Sequence, residues 1–434
     1  MKKIGLISLG CAKNLVDSEN ILGLLQDDGY TIVNNVRDSD IVIVNTCGFI
    51  DASKKESITT IFEMIDKGKQ VVVTGCLAQR YEKELTKEIP EATFIPIRSY
   101  NEFNKFLQKV DPSLSRCDGI DDHYRLISTG SYSAYLKIGE GCDNRCSYCA
   151  IPIIRGGFVS RPYEDIMEEA HKLADSGIKE IIVLQQDTTK YGIDRKQDGH
   201  NIVSLLKGLL AIKEFAYIRL LYLYPDEISD ELIDLIASEK RLTPYFDVPI
   251  QHSEDHILKD MNRRGNKEFL KDLFTKIRNK VSTAILRTTV MVGFPGETEE
   301  DVDNLITFLQ DIKFDHVGAF TYSREEGTRA YHFKPQISEK VKKQRLKRVM
   351  QAQQKISYQQ NKKHIGEIME GLIVGQENGY YLLRSYWNAP DDVDGKIFFK
   401  ADKTLKEGNK VTVKIEDAFV YDLMGSYIEE KIQD

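Results

Sequence analysis

Short apolar, β-branched runs punctuate the first quarter of the chain at Lys3–Leu9, Ile41–Asn45, Val71–Thr74 and Thr93–Ile97. Between and after them, apolar positions fall at helical spacing over Ser18–Asp27, Ser53–Lys67, Arg80–Lys87 and Glu102–Val110. Regular alternation of this kind predicts an open parallel α/β sheet over residues 1–112. Residues 113–128 are polar, carry an acidic run and read as a linker. A second alternating series fills residues 129–337. Its strand-like runs are Ala134–Ile138, Glu180–Leu184, Tyr217–Leu223, Tyr245–Val248, Ile285–Val292 and His316–Thr321. Helical patterns follow most of them, at Pro162–Asp175, Ile202–Ile212, Asp230–Ser238, Lys267–Lys280 and Glu299–Ile312. Six β/α units are too few to close an eightfold barrel and predict a partial, open (β/α)6 barrel.

The pattern changes again after residue 337. Residues 338–364 read as one long helix with nine Lys/Arg against Glu339 alone. From Ile365 the strand-like pieces are Ile368–Val374, Tyr380–Arg384, Lys396–Phe399, Lys410–Ile415 and Asp422–Tyr427, separated by Gly and Asp turns. These predict a small five-stranded antiparallel, OB-like β-barrel over residues 365–434. The fold class is therefore α/β and multidomain.

Composition adds little to that picture. With 41% hydrophobic and 29% charged residues, the 434-residue chain is ordinary for a soluble globular protein. No apolar run is long enough to span a bilayer. The opening apolar run stops at Lys13 without a small-residue cleavage site, which suits a first strand better than a signal peptide. The expected setting is cytoplasmic, with no membrane partner. A net charge of −7 argues weakly against a surface devoted to nucleic acid.

Cysteine placement changes the picture most. Of seven cysteines, Cys142, Cys146 and Cys149 form a Cys-x3-Cys-x2-Cys loop after the first strand of the second series. Loops at the carboxyl ends of barrel strands are where active sites sit in such folds. Three thiolates so spaced can wrap one iron–sulfur cube and leave one iron open, whereas a structural cluster has four cysteine ligands. A zinc site would need a fourth Cys or His, and His123 and His171 lie outside the loop. Cys11, Cys47 and Cys76 each stand at or just past the end of an apolar strand. In an open parallel sheet, ligands bind outside the carboxyl ends of the strands, so these three can converge on a second cluster. The plainer reading is three buried cysteines. Cys117, in the linker, has no such context and is not expected to be a ligand.

The triplet Cys142–Cys149, with Tyr148 before its last cysteine, resembles the radical S-adenosylmethionine signature. With the second triplet and the tail, the whole chain resembles the methylthiotransferases, two-cluster enzymes of that class. The resemblance implies two 4Fe-4S clusters and S-adenosyl-L-methionine as cofactors, with Cys142, Cys146 and Cys149 catalytic and all six cysteines as metal ligands. It implies a methylthiotransferase iron–sulfur domain (1–112), a linker (113–128), a radical barrel (129–337), a basic connecting helix (338–364) and a TRAM domain (365–434). One S-adenosylmethionine would supply the methyl group, and a second the 5′-deoxyadenosyl radical that opens a C–H bond. Candidate cofactor contacts are Tyr148 beside the adenine, Gln186 and Asp187 in Gln185-Gln186-Asp187, and Gly293 and Glu297 in Gly293-Phe294-Pro295-Gly296-Glu297. An ordinary turn with an acidic helix start is the plainer reading of the last segment. Glu140, Arg145, Arg155 and Asp247 are further site candidates.

One branch of this family modifies transfer RNA adenosine, and another an aspartate β-carbon on ribosomal small-subunit protein S12. Ser8-Leu9-Gly10-Cys11-Ala12-Lys13-Asn14-Leu15-Val16-Asp17-Ser18-Glu19 and Ser385-Tyr386-Trp387-Asn388-Ala389-Pro390-Asp391-Asp392-Val393-Asp394-Gly395 resemble the ribosomal-protein branch. Asp392-Val393 departs conservatively from that branch's usual Glu-Ile. The tail, with 8 Lys/Arg against 14 Asp/Glu, is acidic at net −6, which suits a basic protein better than RNA. The expected partner is ribosomal protein S12, free or in the ribosome, with an electron donor and a sulfur source. The basic helix is a candidate for ribosomal RNA contact. The competing readings are the transfer RNA branch and an iron–sulfur scaffold or electron carrier.

Overall fold

The structure is a computed structural model that describes residues 2–112, 119–120, 125–390 and 393–429. Cys117, His123, Asp391, Asp392 and most of the 113–128 linker lie outside the described residues. The chain divides into two compact units, one comprising Met1–Gly130, Tyr135–Ala170 and Ser323–Tyr331, the other Ser131–Ala134, His171–Tyr322 and His332–Asp434.

The first unit is built on a parallel sheet ordered β2-β1-β3-β4-β5, from β1 (Lys3–Ser8), β2 (Thr31–Ile32), β3 (Ile41–Thr46), β4 (Gln70–Gly75) and β5 (Ala92–Pro96). Alternation along each strand feeds two cores. Ile4, Ile41, Ile43, Val72 and Ile95 pack against α1 (Ala12–Asp27) and α4 (Phe103–Leu107). Val42, Val44, Val71, Val73 and Phe94 pack against α2 (Asp51–Asp66) and α3 (Cys76–Glu88). Burial on both faces is why these strands read as continuous apolar runs.

Two helices begin earlier than the periodicity suggests. α1 starts directly after Cys11, and Lys13, Asn14, Asp17, Ser18, Glu19 and Asn20 in its first turns are all buried. Buried polar residues erase the amphipathic signal there, because that signal assumes polar positions face water. α3 starts at Cys76 itself rather than near Arg80. The segment expected to be helical at Glu102–Val110 is a 3₁₀ turn, Ile97–Glu102, followed by the short α4.

The rest of the chain runs β6 (Ser133–Lys137), β7 (Gly139–Glu140), α5 (Ile151–Ile154), β8 (Val159–Ser160) and α6 (Tyr163–Asp175), then β9 (Glu180–Leu184), α7 (Ile202–Ala211), β10 (Tyr217–Leu220), α8 (Asp230–Ser238) and β11 (Tyr245–Asp247). α9 (Asp255–Asp260), α10 (Lys267–Lys280), β12 (Ile285–Val292), α11 (Glu299–Ile312), β13 (His316–Thr321) and α12 (Glu339–Asn361) complete the second series. Its sheets are ordered β10-β9-β6 and β11-β12-β13, and the bridge Ile218–Leu242 and the hydrogen bond from Leu223 N–H to Asp247 O link β10 with the β11 segment. The six-strand open arrangement is the expected partial barrel. β10 ends sooner than expected because Tyr222 takes the left-handed conformation at φ 61°.

The tail closes into a five-stranded barrel from β14 (Ile368–Glu377), β15 (Tyr380–Ser385), β16 (Ile397–Lys400), β17 (Lys410–Ala418) and β18 (Leu423–Ile428). One pairing corrects the expected all-antiparallel pattern: β16 and β18 run parallel. That seam lets a meander close on itself, as in OB-like barrels.

Within the second unit the described residues of the tail motif, 385–390 and 393–395, pack against the strand residues Tyr245, Arg287 and His316. Trp387 is fully buried, packs edge-on against His316 at 4.9 Å, and its carbonyl lies 2.9 Å from His316 Nε2. Asp394 accepts from Tyr245 Oη (2.5 Å) and Ala389 N–H (2.9 Å), with Arg287 Nε at 3.4 Å. Burial alone would raise its carboxyl pKa. His316, Arg287 and Tyr245 outweigh burial and hold it below the usual carboxylate range. A depressed folded pKa gives stability that is fully present above the unfolded value, about 3.9, and is lost as pH falls from there through the lower folded value. Asp394→Asn is therefore expected to destabilise the second unit by about 3 kcal/mol at neutral pH. It should also flatten the acid limb of its stability. Denaturant unfolding at a series of pH values reads both.

Candidate active site

Both cysteine triplets belong to the first unit. The register of β1, β3 and β4 sets the second triplet. Ser8 pairs with Asn45, and Thr46 with Gly75, so the chain leaves all three strands at one sheet edge. Cys11 caps α1, Cys47 follows β3 and Cys76 opens α3. Gly75 is required at its position: it has φ 87°, and a Cβ there would lie 2.2 Å from Asn45 Oδ1. A Cβ on Gly10, next to Cys11, would stand 3.0 Å from Cys47 Cβ and 3.3 Å from its Sγ. Burial pushes the Cys76 thiol up to about 11, and the neighbouring Cys11 and Cys47 thiols act in the same direction. The three sulfurs therefore share one electrostatic environment, with Cys76 buried and Cys11 exposed.

Polar side chains hold this edge. Asn14 Nδ2 donates to Leu9 O (2.9 Å) and Thr46 O (3.0 Å). Ser57 Oγ accepts from Cys47 N–H (3.1 Å) and donates to Cys47 O (3.0 Å). Arg80 donates to Gly48 O (3.0 Å) and pairs with buried Glu325, which also takes Lys54 at 3.0 Å. Three thiols at the carboxyl edge of a sheet, with no fourth ligand beside them among the described residues, fit an iron–sulfur cube with an open corner. Among the described residues, no three His, Cys, Asp or Glu are set closely enough for a single metal ion, as a tetrahedral zinc site would require.

The loop of Cys142, Cys146 and Cys149 is framed by the two-residue strands β7 and β8, which pair antiparallel. Cys142 N–H donates to Gly156 O (3.2 Å), and Cys149 N–H to Cys146 O (3.0 Å). Ile151 N–H points at Cys149 Sγ at 3.5 Å. Ser147 is buried, and its carbonyl accepts from Ala330 N–H at 2.8 Å. Gly141 has φ 71°, and a Cβ there would fall 1.9 Å from Gly157 O. Gly141→Ala must therefore displace the loop. The expected result is loss of about half the reconstituted iron, measured per chain against the parent protein.

The remaining candidates are distributed as follows. Tyr148 lies on the loop in the first unit. Gln186 and Asp187 follow β9 in the second, where buried Asp187 accepts from Thr189 Oγ1 at 2.7 Å. Glu297 accepts from Gly293 N–H with both oxygens (2.9 and 2.8 Å) and from Arg345 Nη1 (2.8 Å). The space of a Gly293 side chain is occupied by Lys342. Gly293 and Glu297 thus make one braced turn against α12. Asp247 pairs with Arg287 at 2.8 Å inside the barrel. Arg145 takes φ 49° within the cysteine loop. Glu140 and Arg155 pair at 2.9 Å in the first unit.

The sequence marks the Gln185-Gln186-Asp187 segment without singling out Gln185, and does not mark Gln251 or Ser253. The Gln185 amide is fully buried at the end of β9 without a hydrogen-bond partner among the described residues, as are Gln251 Oε1 and Ser253 Oγ after β11. Buried polar atoms of this kind call for a ligand or water. Asn14, Asp17 and Ser57 were missed because nothing local marks them. On α12, Lys342, Arg345 and Arg348 are engaged with Tyr322 O, Glu297, Glu299 and Asp303. Part of the basic run therefore fastens the helix.

Three family models match the chain: Uncharacterized protein family UPF0004 over residues 3–96, Radical SAM superfamily over 136–309 and TRAM domain over 365–428. The chain is similar to Ribosomal protein uS12 methylthiotransferase RimO of Thermoanaerobacter sp. (strain X514), at 44% identity over 98% of this chain and 100% of that protein. It is also similar to the protein of that name from Clostridioides difficile (strain 630), at 46% identity over 99% of this chain and 100% of that protein. Among solved structures it resembles the radical S-adenosylmethionine methyltransferase TsrM from Kitasatospora setae, with cobalamin and a 4Fe-4S cluster bound. The TM-score is 0.54 at 13% identity, covering 88% of this chain and 77% of that one, a likeness of fold alone.

Proposed function

Because the chain belongs to the RimO family of radical S-adenosylmethionine methylthiotransferases, we infer that Cys142, Cys146 and Cys149 hold its radical-generating 4Fe-4S cluster and that Cys11, Cys47 and Cys76 hold the second. It is an enzyme with S-adenosylmethionine and 4Fe-4S clusters as cofactors. It adds a methylthio group to ribosomal protein uS12, at the β-carbon of an aspartate. The observation that carries this reading is full-length similarity to uS12 enzymes in a chain whose two three-cysteine sets fall in one compact unit. When bound, the clusters and S-adenosylmethionine supply radical generation at the loop and a sulfur source at the sheet edge.

The chain's own residues supply placement. β7, β8 and the Gly141 turn fix the loop, and the β1, β3 and β4 ends with Asn14 and Ser57 fix the sheet edge. S-adenosylmethionine contacts are assigned to Tyr148, Gln186, Asp187, Gly293 and Glu297, with Gln185 added on the strength of its buried amide. Glu297 serves by bracing the Gly293 turn through Arg345. The domains run 1–112, 113–128, 129–337, 338–364 and 365–434, supported by family matches that fall within three of these ranges. No helix among the described residues is long and apolar enough to cross a membrane. The working compartment is the cytoplasm, where an electron donor and a sulfur source complete the reaction. Ribosomal RNA contact falls to the exposed Lys340, Lys343, Lys347 and Lys355, which share one face of α12.

The test is a coproduct assay on anaerobically reconstituted protein with uS12, reductant and S-adenosylmethionine. Both S-adenosylhomocysteine, from methyl donation, and 5′-deoxyadenosine, from radical generation, are expected to form in step with modified uS12. Formation of 5′-deoxyadenosine alone would contradict the reading.

A further inference from the structure

Arg155 ends the segment that leaves the catalytic loop: Cys149 is followed by Ala150, by α5 and then by Arg155 as its cap. Ala150 and Ile154 of that segment pack on Cys76, with Ile97 against them. The Arg155 side chain is buried. Its Nη1 donates to Asp17 Oδ2 at 2.7 Å and to Glu140 Oε2 at 2.9 Å. Its Nη2 donates to Asn14 Oδ1 and to Cys76 Sγ, the latter at 3.6 Å. Lys137 Nζ also meets Asp17, at 2.6 Å, and Glu140, at 3.5 Å.

The charge count shows what the fourth of these contacts is for. Arg155 and Lys137 already balance Asp17 and Glu140, so neutrality does not require the guanidinium to reach a sulfur. Asn14 aims Nη2 at Cys76. The Cys76 thiol in turn donates to the same Asn14 oxygen at 3.4 Å. A cysteine that ligates iron carries no S–H to donate. Asn14 Oδ1 then accepts from Arg155 alone, and Cys76 Sγ becomes an acceptor facing a permanent cation. Hydrogen bonds and positive charge at a ligating sulfur stabilise the reduced, more negative cluster.

We propose that Arg155, aimed by Asn14, Asp17 and Glu140, is a positioning residue for the second cluster, which directs a charged hydrogen bond at the Cys76 sulfur and so raises the reduction potential of the cluster bound there. The proposal rests on Cys11, Cys47 and Cys76 being that cluster's ligands. It adds a residue supplied by the catalytic loop's own continuation, so one segment carries a ligand of one cluster and a charged hydrogen-bond donor to the other.

The test uses the full-length chain with Cys142→Ala, Cys146→Ala and Cys149→Ala, leaving one cluster. Reconstitution of this background is expected to give about four irons per chain. Iron near zero here would refute the ligand assignment itself. Arg155→Gln is then made together with Asp17→Asn, so that no buried carboxylate is left unpaired, and Arg155→Lys is made alone. With iron retained, the Gln/Asn variant is expected to shift the reduction equilibrium at least tenfold toward the oxidised cluster, about 59 mV for a one-electron couple. Arg155→Lys should recover most of the shift. An unchanged potential with iron retained overturns the proposal. So does equal loss of iron from the Lys and Gln/Asn variants, because shape rather than charge would then be the property that matters.

Discussion

Cys146→Ala is expected to abolish 5′-deoxyadenosine formation and, with it, every downstream product. Cys146 sits midway in a loop whose ends are pinned by the Cys142–Gly156 and Ser147–Ala330 backbone hydrogen bonds, so the variant should fold with its frame intact. Two thiolates in that frame cannot hold the cube. Iron after reconstitution should fall from about eight per chain to about four, the four belonging to the sheet edge. Both quantities come from one sample, by iron analysis and by chromatography of the nucleoside products.

The opposite pattern is expected for Cys76→Ala. Iron again falls to about four per chain, but the loss is now at the sheet edge and the loop keeps its cluster. 5′-Deoxyadenosine should persist within a few-fold of the parent rate, and methylthio product should disappear. Cys76 is buried and touches Ala150 and Ile154, so part of the lost volume is a cavity beside the loop. Cys76→Ser keeps most of that volume and should show the same split. A variant in which 5′-deoxyadenosine vanishes with Cys76→Ser would mean that the two triplets do not do separate jobs.

Much of this arrangement was legible in the sequence, for identifiable reasons. β3 and β4 are buried on both faces, so their apolar runs and the cysteines at their ends stood out. The Cys142–Cys149 loop is local, and its spacing alone carried the signal. What was hidden depends on contacts across long stretches of chain. The polar first turns of α1 look like a loop until Asn14, Asp17 and Glu19 are seen meeting Arg155, Lys137 and Arg125. The resemblance of Trp387 to Gly395 marked a branch, and the structure gives that motif a packing role, with Asp394 buried among Tyr245, Arg287 and Ala389. The parallel β16–β18 seam could not be read from strand order, because pairing across the barrel depends on how the sheet closes. The basic run on α12 read as a single surface feature, although Lys342 and Arg345 are turned inward.

Transfer of a methylthio group to a ribosomal protein is what sets this two-triplet chain apart from the transfer RNA branch. Its most direct test is a competition. Reconstituted, reduced protein is incubated with S-adenosylmethionine and sulfide in the presence of both uS12 and unmodified transfer RNA, and both are analysed by mass spectrometry. An aspartate of uS12 bearing one methylthio group in place of one hydrogen, with the transfer RNA unchanged, is the predicted result. Methylthiolated adenosine in the transfer RNA with uS12 unchanged would contradict it.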